Sequence, residues 1–179
     1  MAFFKFFSDL KDKIEKEKEF SRAEKELKQI IEEENILLKT DGTIGYSYYH
    51  GVKQPSGEVA LIVIDKLNSS NLLFSLTHEV GHYVSHKTGA IPKEYHNIKT
   101  TTEDFAPYES IAEVYKKLNS YERFLVFEEE LRAWKFGAKI LGKINFKYMI
   151  DYENYAYHSI NNLLWWYGFK EWKELLCAD

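Results

Sequence analysis

The chain has 179 residues, enough for a sizeable apolar core, and we expect a single domain over residues 1–179. Its formal net charge is −4 with acidic and basic residues interspersed, which argues against direct nucleic-acid binding through a basic face. Its single cysteine, Cys177, cannot form an internal disulfide, and no apolar run approaches the ~20 residues of a membrane span, so we expect a cytoplasmic protein.

Residues 1–38 are dominated by one amphipathic pattern. Apolar residues recur three, four or seven positions apart from Phe7 to Ile31, which predicts a helix over residues 8–34 with Ser8 as its N-cap. The apolar start, MAFFKFF, leaves contact with a membrane interface as an alternative to packing onto the domain.

Residues 39–142 carry the motifs and begin with a predicted sheet. Two β-rich runs, 43–49 and 58–65, are separated by Gly, Pro and Ser, which predicts a hairpin and a small antiparallel sheet. A helix follows, with N-cap residue types at 69–71 and a C-terminal stop at Gly89.

The remaining sequence predicts a polar loop and then helices. The stretch 88–104 is polar and is a candidate lid over a site. Pro107 suits the first turn of a helix, and Ser120 suits an N-cap. The predicted helices cover residues 107–118, 120–142, 146–167 and 169–177. The C-terminal portion, 143–179, is therefore expected to be helical.

One apolar segment, LLFSLTHEVGHYVSH, contains side chains that are costly to bury. Within it, His78, Glu79 and His82 form the pattern HExxH. Two histidines four residues apart on a helix differ by about 40° in direction and ~6 Å along the axis, so both can bind one cation. Glu79 points to one side, where it can take a proton from a zinc-activated water. The motif predicts a catalytic Zn²⁺ site, with His86 outside the tetrahedral set.

A catalytic zinc site needs a third protein ligand. In metzincins it would be a histidine six residues after His82, but Thr88 stands there. A glutamate from a later helix is the other solution, and FEEELRAWKFGA contains three. Glu128 shares its helix face with basic residues and is expected in solvent. Periodicity alone leaves Glu129 and Glu130 as alternatives.

A family resemblance is carried by LIVID, then the HExxH segment, then the downstream pattern ExxAxxFxA. Together they resemble the ImmA/IrrE-type metallopeptidases, a gluzincin-like group of bacteria, phages and mobile elements. The similarity covers about residues 43–140. It implies His78 and His82 as zinc ligands, Glu79 as the base and Glu130 as the third ligand.

The resemblance also implies a fold and a substrate class. The expected fold is α+β and zincin-like, with a small antiparallel sheet, an active-site helix and a mostly helical C-terminal portion. The expected activity is that of a zinc metalloendopeptidase that cuts a specific protein, such as a helix-turn-helix repressor. After Ala133 the family usually has Asn or Asp, which can orient a ligand histidine. Trp134 stands there, so another residue must orient that histidine.

Two further expectations concern the chemistry. His158 and its neighbour Tyr157 are candidates for stabilising the transition-state oxyanion. The alternative function is a non-catalytic regulatory or binding module that keeps a zincin-like scaffold. An open coordination position beside Glu79 indicates the enzyme, whereas a fourth protein ligand indicates the scaffold.

Overall fold

A computed structural model describes residues 2–40, 48–54, 57–64, 69–95, 97–98 and 117–166. The elements in chain order are α1 (Ala2–Glu33), β1 (Leu37–Thr40), β2 (Tyr48–Gln54), β3 (Gly57–Ile64), α2 (Ser69–Lys87), α3 (Ser120–Lys143) and α4 (Met149–Trp166). A small sheet beside long helices makes the fold α+β, which confirms the predicted class. None of the helices in these ranges combines the length and apolar character that a membrane crossing requires.

The sheet has three strands in the order β1-β3-β2 and is mixed. β2 and β3 form an antiparallel hairpin in which Gln54 lies opposite Gly57. β1 pairs in parallel with β3, with Leu37 opposite Leu61. The expectation of a wholly antiparallel sheet is therefore wrong. β1 is only four residues long, LLKT, and its sequence has no alternation that could have predicted it.

The hairpin is also displaced from its predicted bounds. The strand expected over 58–65 is observed as Gly57–Ile64, and the preceding strand, Tyr48–Gln54, overlaps the predicted run 43–49 at residues 48 and 49. Its pairing with β3 continues up to Gln54, so residues 50–54, which the sequence assigned to the linker between the two runs, belong to the strand. Residues 41–47 lie outside the described ranges.

Three helices end in the same way, with a residue in the left-handed backbone region. Gly89 has φ of 66°, which confirms the predicted stop of α2. Asn35 and Asn145 have φ of 55° and 52° after α1 and α3. In the Asn145 turn, the amide of Phe146 donates to the carbonyl of Leu141 at 3.0 Å, so α3 passes the predicted end at Gly142. The next helix consequently begins at Met149 and not at 146.

The core lies where α1 and α2 pack between the sheet and the C-terminal helices. The second half of α1 contributes Phe20, Leu27 and Ile31, each buried. Leu10 and Ile14, which the amphipathic pattern also assigned to the buried face, are 42% and 43% exposed. The helix extends from Ala2 through Ser8, so the predicted N-cap at Ser8 is wrong.

A polar contact joins α1 to the turn between α3 and α4. Arg22 donates to the carbonyl of Ile144 at 3.0 Å and bonds to Glu19 at 2.7 Å. The Glu19 carboxylate accepts the backbone N–H of Lys147 at 3.0 Å. The Arg22 hydrogen bond holds the pKa of Glu19 below its usual value, against the opposing effect of burial. This contact fixes the start of α4 relative to the core.

The N-cap of α3 is Asn119 and not Ser120. The Asn119 side chain accepts from the amide of Glu122 at 3.0 Å, and the Glu122 carboxylate accepts from the amide of Asn119 at 2.8 Å. This is a complete capping box, in which an amide side chain satisfies the free end of the helix as a hydroxyl would. Residues 96 and 99–104 of the predicted lid, residues 107–116 of the helix predicted over 107–118, and all of the helix predicted over 169–177 lie outside the described ranges.

Candidate metal centre

The site forms where α2 and α3 cross, and the crossing is unusually close at Gly81. A Cβ atom at this position would lie 2.1 Å from the carbonyl oxygen of Ala133 and 3.1 Å from its Cα. Since no larger residue fits against that backbone, the glycine inside HEVGH lets the two helices approach. The motif on α2 therefore faces the first half of α3 at short range.

Three donor side chains converge at this crossing. The Nε2 atoms of His78 and His82 are 3.1 Å apart. Glu130 on α3 places Oε2 at 3.1 Å from His78 Nε2 and Oε1 at 3.7 Å from His82 Nε2. Within the described part of the chain, these three residues form the group whose ligand atoms lie close enough to hold one metal ion. The structure brings together all three predicted ligands.

The donor set fits a divalent cation of the size of zinc. Bonds of about 2.0–2.1 Å in a tetrahedral site place neighbouring ligand atoms about 3.3 Å apart. The two Nε2 atoms are 3.1 Å apart, and Glu130 lies 3.1 Å from His78 Nε2 through Oε2 and 3.7 Å from His82 Nε2 through Oε1, all near that value. Two imidazoles and one carboxylate are also the donor types of three-ligand zinc sites. The cluster could hold a metal ion on chemical and geometric grounds.

Glu129 lies beside the cluster but contacts the other side of the same ring. Its Oε1 is 3.2 Å from His82 Nδ1, the nitrogen that faces away from His78. Its Oε2 accepts from Ser85 Oγ at 2.9 Å and from Arg132 at 3.3 Å. The two glutamates that periodicity could not separate therefore have different positions, and Glu130 is the one whose carboxylate faces both Nε2 atoms.

His78 is held in a different way. Its imidazole stacks on the indole of Trp134, with ring centroids 4.1 Å apart and an interplanar angle of 27°. Its Nδ1 is buried and has no hydrogen-bond partner among the described residues. The Trp134 carbonyl accepts the hydroxyl of Tyr152 on α4 at 2.9 Å, and the Trp134 and Tyr152 rings are 5.6 Å apart. Packing from α3 and α4 thus orients this ring.

Glu79 is buried, with 5% of its surface exposed, and interacts electrostatically with all three donors. Burial raises its pKa, the neighbouring His78 and His82 oppose that shift, and Glu130 adds to it. Burial also raises the pKa of Glu130, but His82 and His78 lower it by more, so this pKa lies well below the usual range. Glu79 is therefore the carboxyl that binds a proton more readily.

The other predicted residues lie away from the cluster. His86 is half-buried, with its ring 5.0 Å from Tyr49 on β2, and it does not belong to the donor group. Glu128 pairs with Arg132 at 2.9 Å, as its basic helix face indicated. Tyr157 and His158 are both exposed, and their rings contact one another at 5.8 Å. Their role with an oxyanion stays a prediction.

Sequence reasoning missed four residues of this region. Gly81 permits the helix contact, Ser85 bonds Glu129, and Arg132 joins two glutamates. The hydroxyl of Tyr155 on α4 lies 3.1 Å from Ser75 Oγ, one helical turn before the motif. Only Ser85 carried a signal in the sequence, because it lies three residues after His82 and so faces the same neighbouring helix.

Comparison of the chain with protein-family models, with curated proteins and with solved structures finds no match in any of the three.

Proposed function

We propose that this protein is a zinc-dependent metallopeptidase. The observation that carries the proposal is the convergence of His78 Nε2, His82 Nε2 and the Glu130 carboxylate at the crossing of two helices. Zinc is the metal that best matches two imidazoles and one carboxylate at these separations. When bound, zinc supplies Lewis-acid chemistry that makes water nucleophilic near neutral pH and polarises a carbonyl group.

Within this proposal Glu79 acts as the general base and then as the acid. Its raised pKa brings it closer to neutral pH, where a carboxylate can both accept and return a proton. Burial limits the competition of bulk solvent for that proton. Glu79 would take the proton of the attacking water and transfer it to the leaving amine.

The number of protein ligands favours the enzyme over the non-catalytic scaffold. In the described ranges the donor group has three members, and a fourth protein ligand is not among them. A tetrahedral ion held by three side chains keeps one position for water or substrate, which is the arrangement of catalytic zinc sites. Structural zinc sites are closed by four protein ligands.

A zincin-like fold and a protein substrate are proposed from the resemblance of the motifs, with a helix-turn-helix repressor as the substrate class. A substrate segment could pair with a strand by its main chain. β3 is the central strand and is paired on both sides over residues 61–63, so it offers no free edge to a substrate at those residues. Pairing would instead use an edge strand, β1 or β2.

The test is cleavage of native proteins by the zinc-loaded chain. Wild type, Glu79→Gln and His78→Ala would be incubated with a proteome of native proteins and with helix-turn-helix repressors encoded beside the gene, and new termini would be identified by mass spectrometry. New termini that arise with the wild type alone would support the proposal. Identical fragments from the wild type and Glu79→Gln would overturn it.

A further inference from the structure

Glu129 is a buried charged residue that stability alone does not explain. None of its surface is exposed, and removing a carboxylate from water costs several kcal/mol even when it is paired. His82 Nδ1, Ser85 Oγ and Arg132 Nη1 compensate it at 3.2, 2.9 and 3.3 Å. Apolar residues of similar volume are often at least as stabilising at such positions. A role beyond packing is therefore worth deriving from its contacts.

The contact with His82 determines which ring nitrogen is free. A neutral imidazole carries one N–H, and a carboxylate can only accept a hydrogen bond. With Glu129 at Nδ1, the proton belongs on that nitrogen, and the lone pair belongs on Nε2. His82 Nε2 is the atom that faces His78 and Glu130. The carboxylate also increases the electron density that the ring donates to a cation.

His78 has no equivalent support, so the effect of Glu129 falls on one ligand. The Nδ1 of His78 lacks a partner in the described ranges, and Trp134 orients its ring by stacking.

The group around Glu129 joins the two helices. Ser85 lies on the same helix as His82, and Arg132 on the same helix as Glu129. His82, Ser85, Glu129 and Arg132 therefore form one hydrogen-bonded group between α2 and α3, and this group keeps its geometry as long as the two helices stay in contact.

We infer that Glu129 is a positioning residue for the metal site: it orients His82, fixes the N–H on Nδ1 and strengthens Nε2 as a ligand, while Ser85 and Arg132 hold its carboxylate in place. This inference rests on the proposed metal site and extends it. Glu129 directly precedes the proposed ligand Glu130 and contacts His82, whereas Trp134, the residue after Ala133, contacts His78.

The test compares zinc affinity among variants by competition with a chromophoric chelator. Glu129→Leu should bind zinc roughly 10–100-fold more weakly, the range found for groups that support a ligand histidine. Glu129→Gln should lose less, because the amide oxygen still accepts from Nδ1. Ser85→Ala should also weaken binding. Glu128→Gln is the matched control, because Glu128 pairs with the same Arg132 and is not in the donor group.

A spectroscopic measurement separates positioning from general loss of structure. In the zinc-loaded wild type, ¹⁵N NMR should show a slowly exchanging His82 Nδ1–H, which should be lost in Glu129→Leu and kept in Glu128→Gln. Wild-type affinity together with an unchanged signal in Glu129→Leu would overturn the inference. If Glu129→Leu does not fold, unchanged zinc affinity in both Glu129→Gln and Ser85→Ala would overturn it.

The same experiment distinguishes this inference from the proposed peptidase function. Zinc binding that weakens with Glu129, in a protein that cleaves nothing, would support the positioning role and overturn the peptidase. A wild type that binds no zinc would overturn both.

Discussion

Replacing Gly81 by alanine should separate the two helices that build the site. The added Cβ would lie 2.1 Å from the Ala133 carbonyl oxygen, and real Cβ contacts are essentially never under 3.0 Å, so α2 and α3 must move apart locally by about 0.9 Å. The neighbour is backbone, so no side chain can rotate away. The substitution therefore tests whether the close crossing seen at this glycine exists.

The expected loss of stability follows from two opposing terms. Overpacking of this kind costs about 1–3 kcal/mol, whereas alanine in a helix interior is favoured over glycine by about 1 kcal/mol. The net loss of ~0–2 kcal/mol corresponds to a melting temperature lower by roughly 0–8 °C in a chain of this size, against a rise for a glycine where alanine meets no neighbour. Metal binding should respond more strongly, since ligand distances tolerate only about 0.2 Å.

The assay is thermal unfolding followed by circular dichroism, together with zinc affinity from chelator competition. Gly142→Ala is the matched control, because a Cβ at Gly142, also in α3, would meet no atom of the described residues within 4 Å outside its own helix backbone. It should keep or raise the melting temperature and leave zinc affinity unchanged. If Gly81→Ala melts and binds zinc like Gly142→Ala, the close helix contact and the site built on it are refuted.

Three further changes follow from the contacts of the core and the site. Glu130→Gln should weaken zinc binding by more than the roughly 10–100-fold typical of a supporting group, because a charged ligand is lost; an affinity near wild type would remove Glu130 from the ligand set. A Cβ at Gly137 would lie 2.2 Å from the Tyr152 hydroxyl, so Gly137→Ala should destabilise less in a Tyr152→Phe background, and additive melting shifts would contradict this contact. The Arg22 hydrogen bond holds the pKa of Glu19 below 4.5, so its stabilisation is present above about pH 4.5 and is lost as the pH falls below it. Glu19→Gln should therefore lower the unfolding free energy from urea titration by about 1.5–3 kcal/mol at pH 7, and its stability should approach that of the wild type near pH 3. A loss of stability that does not depend on pH would argue against the ion pair.

The motif helix could be predicted because its information is local. The geometry of a single helix fixes the relative directions of His78 and His82, and the structure confirms that their Nε2 atoms meet. The end of the helix was equally local, since Gly89 takes the left-handed backbone that favours glycine. The same conformation at Asn35 and Asn145 was missed because asparagine adopts it less often and so gives a weaker signal.

The contacts between elements could not be predicted in this way. In sequence, Gly81 is a residue that weakens a helix by about 1 kcal/mol, and its value appears only when the Ala133 backbone lies against it. The parallel pairing of β1 depends on Leu61, a residue 24 positions after Leu37. In sequence, Trp134 is a departure from the pattern that the resemblance implies, and its stacking on His78 depends on how α3 crosses α2.

The choice between Glu129 and Glu130 shows where sequence reasoning reaches its limit. Adjacent residues on a helix point about 100° apart, so only one of them can face a given atom of the opposing helix. The imidazole of His82 has two nitrogens on different edges, and each glutamate approaches one of them, at 3.2 Å from Nδ1 and 3.7 Å from Nε2. Both residues therefore satisfy the periodicity of a buried, site-facing glutamate. What separates them is the direction of one ring, which depends on the crossing at Gly81 and not on any property of α3 by itself.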